Sequence, residues 1–289
     1  MSMIRDWDEY TRINKAIADF VDGINPTSKL KSITDHVCNS SGKKIRPIAL
    51  LLTTRLGGCD VKQAVDAALA IELIHTASLI HDDILDEGMM RRGIETAHKK
   101  YGHALAMLCG DYLISKSIEL ISPYDHAVIK DFGIMGMTMA EGEAMDIQQF
   151  DFADKEYFDC IRNKTASLFA TSVVLGARIA GFGAKDISDL YRFGECVGMT
   201  YQIVDDLSEI DDLHQNKRSA KPTSALENAS SQDVLLNKGI DAAREYLKQA
   251  RSILDNYDDC DAKAKLLDIT NLMVMDTDTS THDMLALNR

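Results

Sequence analysis

The sequence predicts an all-α protein, and three observations carry that expectation. Its 289 residues include only 17 glycines and 4 prolines, against the roughly 12% that the two together average in proteins, so helix breakers are scarce. Apolar residues recur at three- and four-residue spacing along most of the chain, and no segment combines two-residue alternation with flanking turn signals. A 45% apolar and 27% charged composition is that of an ordinary globular chain long enough to bury a core. No repeat, linker or low-complexity block divides it, so residues 1–289 are expected to form a single domain.

Each element follows from a local signal. Tyr10, Ile13, Ile17 and Val21 place a helix between Trp7 and Val21; Asn25-Pro26-Thr27-Ser28 then breaks the chain and caps a second helix to about Asn39. Ser40-Ser41-Gly42 interrupts it, Pro47 suits the first turn of a helix through Ile48-Ala49-Leu50-Leu51-Leu52, and Gly57-Gly58 closes that helix. From Asp60 to about Glu87 the chain lacks glycine and proline and is apolar on nearly every side (Val65, Leu69, Leu73, Ile74, Leu79, Ile80), the pattern of a buried central helix. Gly88 to Gly93 reads as a loop. Helical patterns resume near Thr96 and cover 104–121, 126–150, 155–180 and 187–210. Residues 211–231 read as a polar loop containing Pro222, 232–257 and 262–275 as helices, and 276–282 as a polar tail.

Thirty-two basic against 45 acidic residues leave a net charge of −13, which disfavours nucleic acid or an anionic membrane as a partner. No run approaches 18 uninterrupted apolar residues and no apolar signal region follows Met1, so neither a membrane span nor export is expected. The six cysteines (Cys38, Cys59, Cys109, Cys160, Cys196, Cys260) form no C-x-x-C pair, and this scatter suits a reducing cytoplasm.

Two acidic clusters stand on apolar helices. In His81-Asp82-Asp83-Ile84-Leu85-Asp86, Asp82 and Asp86 share a face and Asp83 lies about 100° round; His75 and Ser78 extend the same stripe backwards. In Gln202-Ile203-Val204-Asp205-Asp206-Leu207-Ser208-Glu209, Gln202, Asp205, Asp206 and Glu209 share a face by the same spacing. Either cluster alone also describes a solvated helix end. Crowded on an apolar helix, however, like carboxylates repel, and a shared cation relieves them. Hard oxygen donors with room for water and phosphate point to Mg2+ rather than zinc. Two such faces opposed across a cavity would hold several ions and a diphosphate between them. Basic residues are patterned too: Lys43, Lys44 and Arg46 at a helix entrance, Arg91 and Arg92 five and six residues after Asp86, and Lys164 followed by Thr165 within a helix.

As an ordered set, from about Gly42 to Glu209, these motifs resemble the trans-isoprenyl diphosphate synthases, the head-to-tail prenyltransferases. The resemblance implies an antiparallel helix bundle around a deep central cavity, assembled as a homodimer. It implies magnesium ions held by Asp82, Asp83, Asp86, Asp205, Asp206 and Glu209, with Asp83 and Asp206 open to an orienting role. Arg91, Lys164, Thr165 and Gln202 are expected at an allylic diphosphate, and Lys43, Arg46, His75 and Arg92 at isopentenyl diphosphate. His81 is expected to be structural or to support the metal ligands. Ala77, five residues before Asp82, is too small to floor a product tunnel; Ile74, Ile71 and a helix around Leu108 to Ser115 are the next candidates, so products longer than farnesyl are expected.

The pattern departs from the family in three places. Glu209 stands where aspartate is usual; the residues after it lack the usual glycine, leaving Lys217, Arg218 and Lys221 as candidates to close over the diphosphate; and the tail, Leu287-Asn288-Arg289, lacks a basic cluster. A noncatalytic regulatory subunit of a heteromeric synthase is therefore an alternative. A terpene cyclase is another, against which Lys43, Arg46 and His75 argue.

Overall fold

Helices account for almost all of the regular structure in the computed structural model, which describes residues 2–39, 42–148, 154–214 and 229–275. The chain forms two units, one of Met1–Lys130 with Arg178–Ala180 and one of Asp131–Ala177 with Gly181–Arg289.

In the first unit, α1 (Ser2–Arg5), α2 (Asp8–Asp22), α3 (Lys29–Cys38) and α4 (Ile45–Leu56) precede a 3-10 turn, Val61–Ala64, and the long helix α5 (Val65–Leu85). Ser28 caps α3, its Oγ accepting from the Leu30 amide at 3.2 Å, and Asp60 accepts from the Lys62 amide at 3.0 Å. The chain turns into α5 one 3-10 turn later than the Asp60 cap alone predicts. Two short strands, β1 (Met90–Arg91) and β2 (Ile94–Glu95), follow, then α6 (Ala97–Tyr101) and α7 (His103–Ile121). As expected, α5 is apolar all round: Ala67, Ala68, Ala70, Ile71, Leu73 and Ala77 have no accessible surface, and each branched side chain so buried stabilises the fold by about 1.5–3 kcal/mol. By length and composition Val61–Leu85 could cross a bilayer, but 72% of its apolar window is buried in the protein. Its main neighbour is α7, which approaches closely because Gly110 has no side chain: a Cβ there would lie 2.2 Å from His81 Nε2. His81 thus has the structural place allowed for it.

Helix α8 (His126–Asp146) carries the chain into the second unit, which continues with α9 (Lys155–Ile161), a π turn (Arg162–Ala166), α10 (Ser167–Ile179), α11 (Ala184–His214), α12 (Ala229–Leu254) and α13 (Asp261–Met275). Its core joins Tyr157, Ile161, Met199, Ile203, Leu207 and Ile240. A Cβ on Gly198 would lie 2.5 Å from Ala166 Cα, so α11 lies directly against the backbone of the π turn.

Three expectations are corrected. Gly88–Gly93 is not wholly loop: Met90 pairs with Glu95 and Arg91 with Ile94 around Arg92-Gly93, both at positive φ (52° and 81°), the geometry of a two-residue hairpin turn. Strands of two residues are too short to show alternation, and arginine is not a usual residue at that turn position. The helix expected over 155–180 contains the π turn, which inserts a residue without disturbing the apolar pattern. Helix α11 runs past Ile210 to His214; Lys217, Arg218, Lys221 and the polar tail lie outside the described residues.

Candidate active site

In the first unit the charged residues collect where α4 begins and α5 ends. Lys44, left-handed at φ 53°, turns the chain into α4 and is itself buried against Glu72 of α5, Nζ to Oε1 2.8 Å, a partner its place at a helix entrance did not reveal in the sequence. Two residues later the Arg46 guanidinium donates to His75 Nε2 at 3.1 Å. Because arginine only donates, His75 Nε2 carries no proton and the ring is neutral. Burial first, then the charges of Arg46, Arg92, Lys44 and Arg91, hold His75 well below the usual histidine range. Arg92 joins the group through its place in the hairpin turn, its guanidinium resting on Gly42, where a Cβ would lie 2.7 Å from Nη1. Arg46, His75 and Arg92 therefore lie close together at the entrance of α4, with Lys43 three residues before Arg46 in the chain. Ser78 on the same stripe donates its hydroxyl to the His75 carbonyl at 2.9 Å.

The first acidic motif divides by role. Asp82 is half-buried and Asp86, at the helix C-cap, is exposed. Asp83 is buried, and its Oδ1 accepts from Arg91 Nε at 2.8 Å and Nη2 at 2.7 Å. Burial raises the Asp83 pKa against the opposing pull of Arg91. Arg91 is thus committed to a carboxylate of its own chain, as the hairpin folds it back over the end of α5.

In the second unit the π turn presents Lys164 and Thr165. Lys164 Nζ pairs with Glu143 at 2.7 Å and Asp146 at 2.6 Å, both on α8, and Gly142, just before Glu143, packs so closely that a Cβ would lie 2.2 Å from the Lys164 amide nitrogen. Thr165 Oγ1 donates to Gln202 Oε1 at 2.8 Å, Gln202 Nε2 to Asp206 Oδ1 at 2.9 Å, and the Tyr157 hydroxyl to Asp206 Oδ2 at 2.6 Å. Burial, then Asp206, pushes the Tyr157 pKa up, so the phenol remains a donor. Asp205 is exposed on the same helix; the Glu209 side chain lies outside the described residues. Tyr157 was missed by sequence reading, since nothing local marks a tyrosine 49 residues from its aspartate. Glu143 and Asp146 carried a faint signal, being three apart on a helix.

Both motifs thus hold their second aspartate by hydrogen bonds, while Asp86 and Asp205 are exposed. Among the described residues no three His, Cys, Asp or Glu side chains form a cage for an ion.

His75 sets a pH signature. The folded chain keeps it neutral while the unfolded chain protonates it below about pH 6.5, so the unfolded state binds more protons and stability falls as pH drops through that point. In urea unfolding, His75→Gln should lose part of this acid sensitivity between about pH 7 and about pH 5. An unchanged slope would mean that the folded protein carries His75 charged.

Residues 27–257 match the polyprenyl synthetase family. The chain is 41% identical over 279 residues to a geranylfarnesyl diphosphate synthase of Methanosarcina mazei, covering 94% of each, and 34% identical over 244 residues to a geranylgeranyl diphosphate synthase of Sulfolobus acidocaldarius, covering 81% of this chain and 73% of the other. Its fold matches the crystal structure of a geranyltranstransferase from Methanosarcina mazei with a TM-score of 0.82 at 40% identity, over 98% of this chain and 99% of that one. Aspartate-rich helix ends, a neutral histidine among arginines and a lysine on a π turn therefore sit in a chain that belongs to the polyprenyl synthetase family.

Proposed function

We propose that this chain is a magnesium-dependent trans-prenyltransferase that condenses isopentenyl diphosphate with dimethylallyl, geranyl or farnesyl diphosphate, releasing pyrophosphate and a linear trans-isoprenyl diphosphate of geranylgeranyl length or longer. One observation carries the reading: Arg46, His75 and Arg92 gather beside the same helix that carries Asp82 and Asp86. A cationic diphosphate site beside a metal-binding carboxylate stripe suits an enzyme with two diphosphate substrates, and a cyclase has no use for the second. The geranylfarnesyl diphosphate synthase that is 41% identical across nearly the whole chain supports the product range. Residues 1–289 act as one catalytic domain in a reducing cytoplasm, where the six free thiols are stable, and without a nucleic-acid partner.

Asp82 and Asp86 in one motif, and Asp205 and Glu209 in the other, would hold magnesium, with Asp83 and Asp206 orienting each motif through Arg91, Tyr157 and Gln202. When bound there, magnesium would supply Lewis-acid neutralisation of the allylic diphosphate. Lys164 exchanges Glu143 and Asp146 for phosphate oxygens, a charge-for-charge swap that keeps its ammonium paired. Arg91, Gln202 and Thr165 add donors from the same two networks. Lys43, Arg46, His75 and Arg92 hold isopentenyl diphosphate with its double bond aligned to the allylic carbon; the new carbon–carbon bond forms there, and the proton lost passes to the released pyrophosphate.

Purified protein given magnesium, isopentenyl diphosphate and each allylic primer in turn should yield chromatographically resolved products of geranylgeranyl length or more. Asp82→Ala and Asp205→Ala should lower turnover by orders of magnitude with unchanged helical circular dichroism. No turnover with any primer would instead favour a regulatory subunit.

Product length follows from α5. Ala77 is fully buried one turn behind the acidic motif, with Ile74 and Ile71 beyond it. Ala77→Phe should shorten the main product at a stability cost of about 1–3 kcal/mol from overpacking. An unchanged product distribution from a folded variant would place the growing chain elsewhere.

Met107, Leu108 and Ile118 are exposed apolar residues of α7, and we assign the homodimer contact to this helix. In sedimentation analysis Met107→Glu with Ile118→Glu should yield monomers. A dimer that survives both changes would exclude this face.

A further inference from the structure

The buried pair Lys44–Glu72 is used by none of the chemistry above. Lys44 is 7% and Glu72 4% exposed, and their charges meet at 2.8 Å. Taking both charges out of water carries a desolvation cost that apolar side chains of similar volume avoid, so such a pair is a poor source of stability. Its placement is more informative. Lys44 is in the left-handed conformation, φ 53° and ψ 31°, which a residue with a Cβ adopts only when its surroundings hold it there. Its carbonyl accepts the first α4 hydrogen bond, from the Ile48 amide at 3.1 Å. Glu72 lies one turn before His75 on α5, on the same face. Lys44–Glu72 and Arg46–His75 are therefore two successive rungs joining the entrance of α4 to α5.

We infer that Lys44 and Glu72 are positioning residues: their ion pair pins the left-handed turn against α5 and so aims Lys43 and Arg46 at isopentenyl diphosphate. The pair is directional where an apolar contact is not, since a carboxylate accepts the ammonium in few geometries and the turn cannot slide along α5 without breaking it. This inference rests on the assignment of Lys43 and Arg46 to isopentenyl diphosphate.

The test is the double variant Lys44→Met, Glu72→Met in the full chain, with thermal midpoint and both Michaelis constants measured beside those of Lys43→Ala. The expected result is a thermal midpoint no lower than wild type, a KM for isopentenyl diphosphate raised roughly 10- to 100-fold by misalignment, and an allylic KM within about 2-fold of wild type. Glu72→Gln, which keeps an oxygen acceptor for Lys44 and loses the charge, should raise the same constant less, and serves if the double variant does not fold. A stable variant with both constants unchanged, or with both raised alike, overturns the positioning role. If Lys43→Ala raises the isopentenyl diphosphate KM and neither pair variant does, the positioning role alone fails. If Lys43→Ala leaves it unchanged, the assignment of the site fails, and the positioning role with it.

Discussion

Helix α5 imposes the condition on which the first unit depends: a rod buried on every side that nevertheless carries charge. Buried charged and polar groups must be partnered or they destabilise the fold. Glu72, His75 and Asp83 meet that condition with Lys44, Arg46 and Arg91 respectively. All three partners are basic: Lys44 caps α4, Arg46 stands in its first turn, and Arg91 follows α5 in β1. The pairing that lets α5 be buried also brings these three cations against it as the chain folds.

The second unit meets the same condition with a hydrogen-bond chain. Thr165, Gln202, Asp206 and Tyr157 each satisfy a neighbour, and a chain of this kind is rigid because every member must stay in place for the others to remain satisfied. Its anchor is the π turn, and that turn exists next to Gly142 and Gly198, where α8 and α11 approach to distances that a Cβ would block. A helix with an inserted residue exposes side chains a regular helix would stagger away, which is how Lys164 and Thr165 come to lie side by side at the end of α8 and on the face of α11.

Donors held by internal partners have a consequence for binding. Lys164 with Glu143 and Asp146, and Arg91 with Asp83, are fixed in position before a ligand arrives. Side chains already ordered lose less entropy on meeting a phosphate, while the carboxylates they leave are left to seek new cations.

What the sequence by itself determined is local. Spacing of apolar residues, the caps at Ser28 and Asp60, and the shared face of Asp82 and Asp86 are properties of neighbours within one or two turns, so the helices, the burial of α5 and the acidic stripes were legible without coordinates. The two-residue strands around Arg92-Gly93 and the π turn were not, because neither alters the apolar pattern on which such reading depends. The tertiary structure alone decided which charge meets which: Lys44 with Glu72 across 28 residues, Arg46 with His75 across 29, Tyr157 with Asp206 across 49. A charge in a sequence shows only that it must be solvated or paired. Burial chooses between the two, and burial is set by segments distant in the chain that pack together.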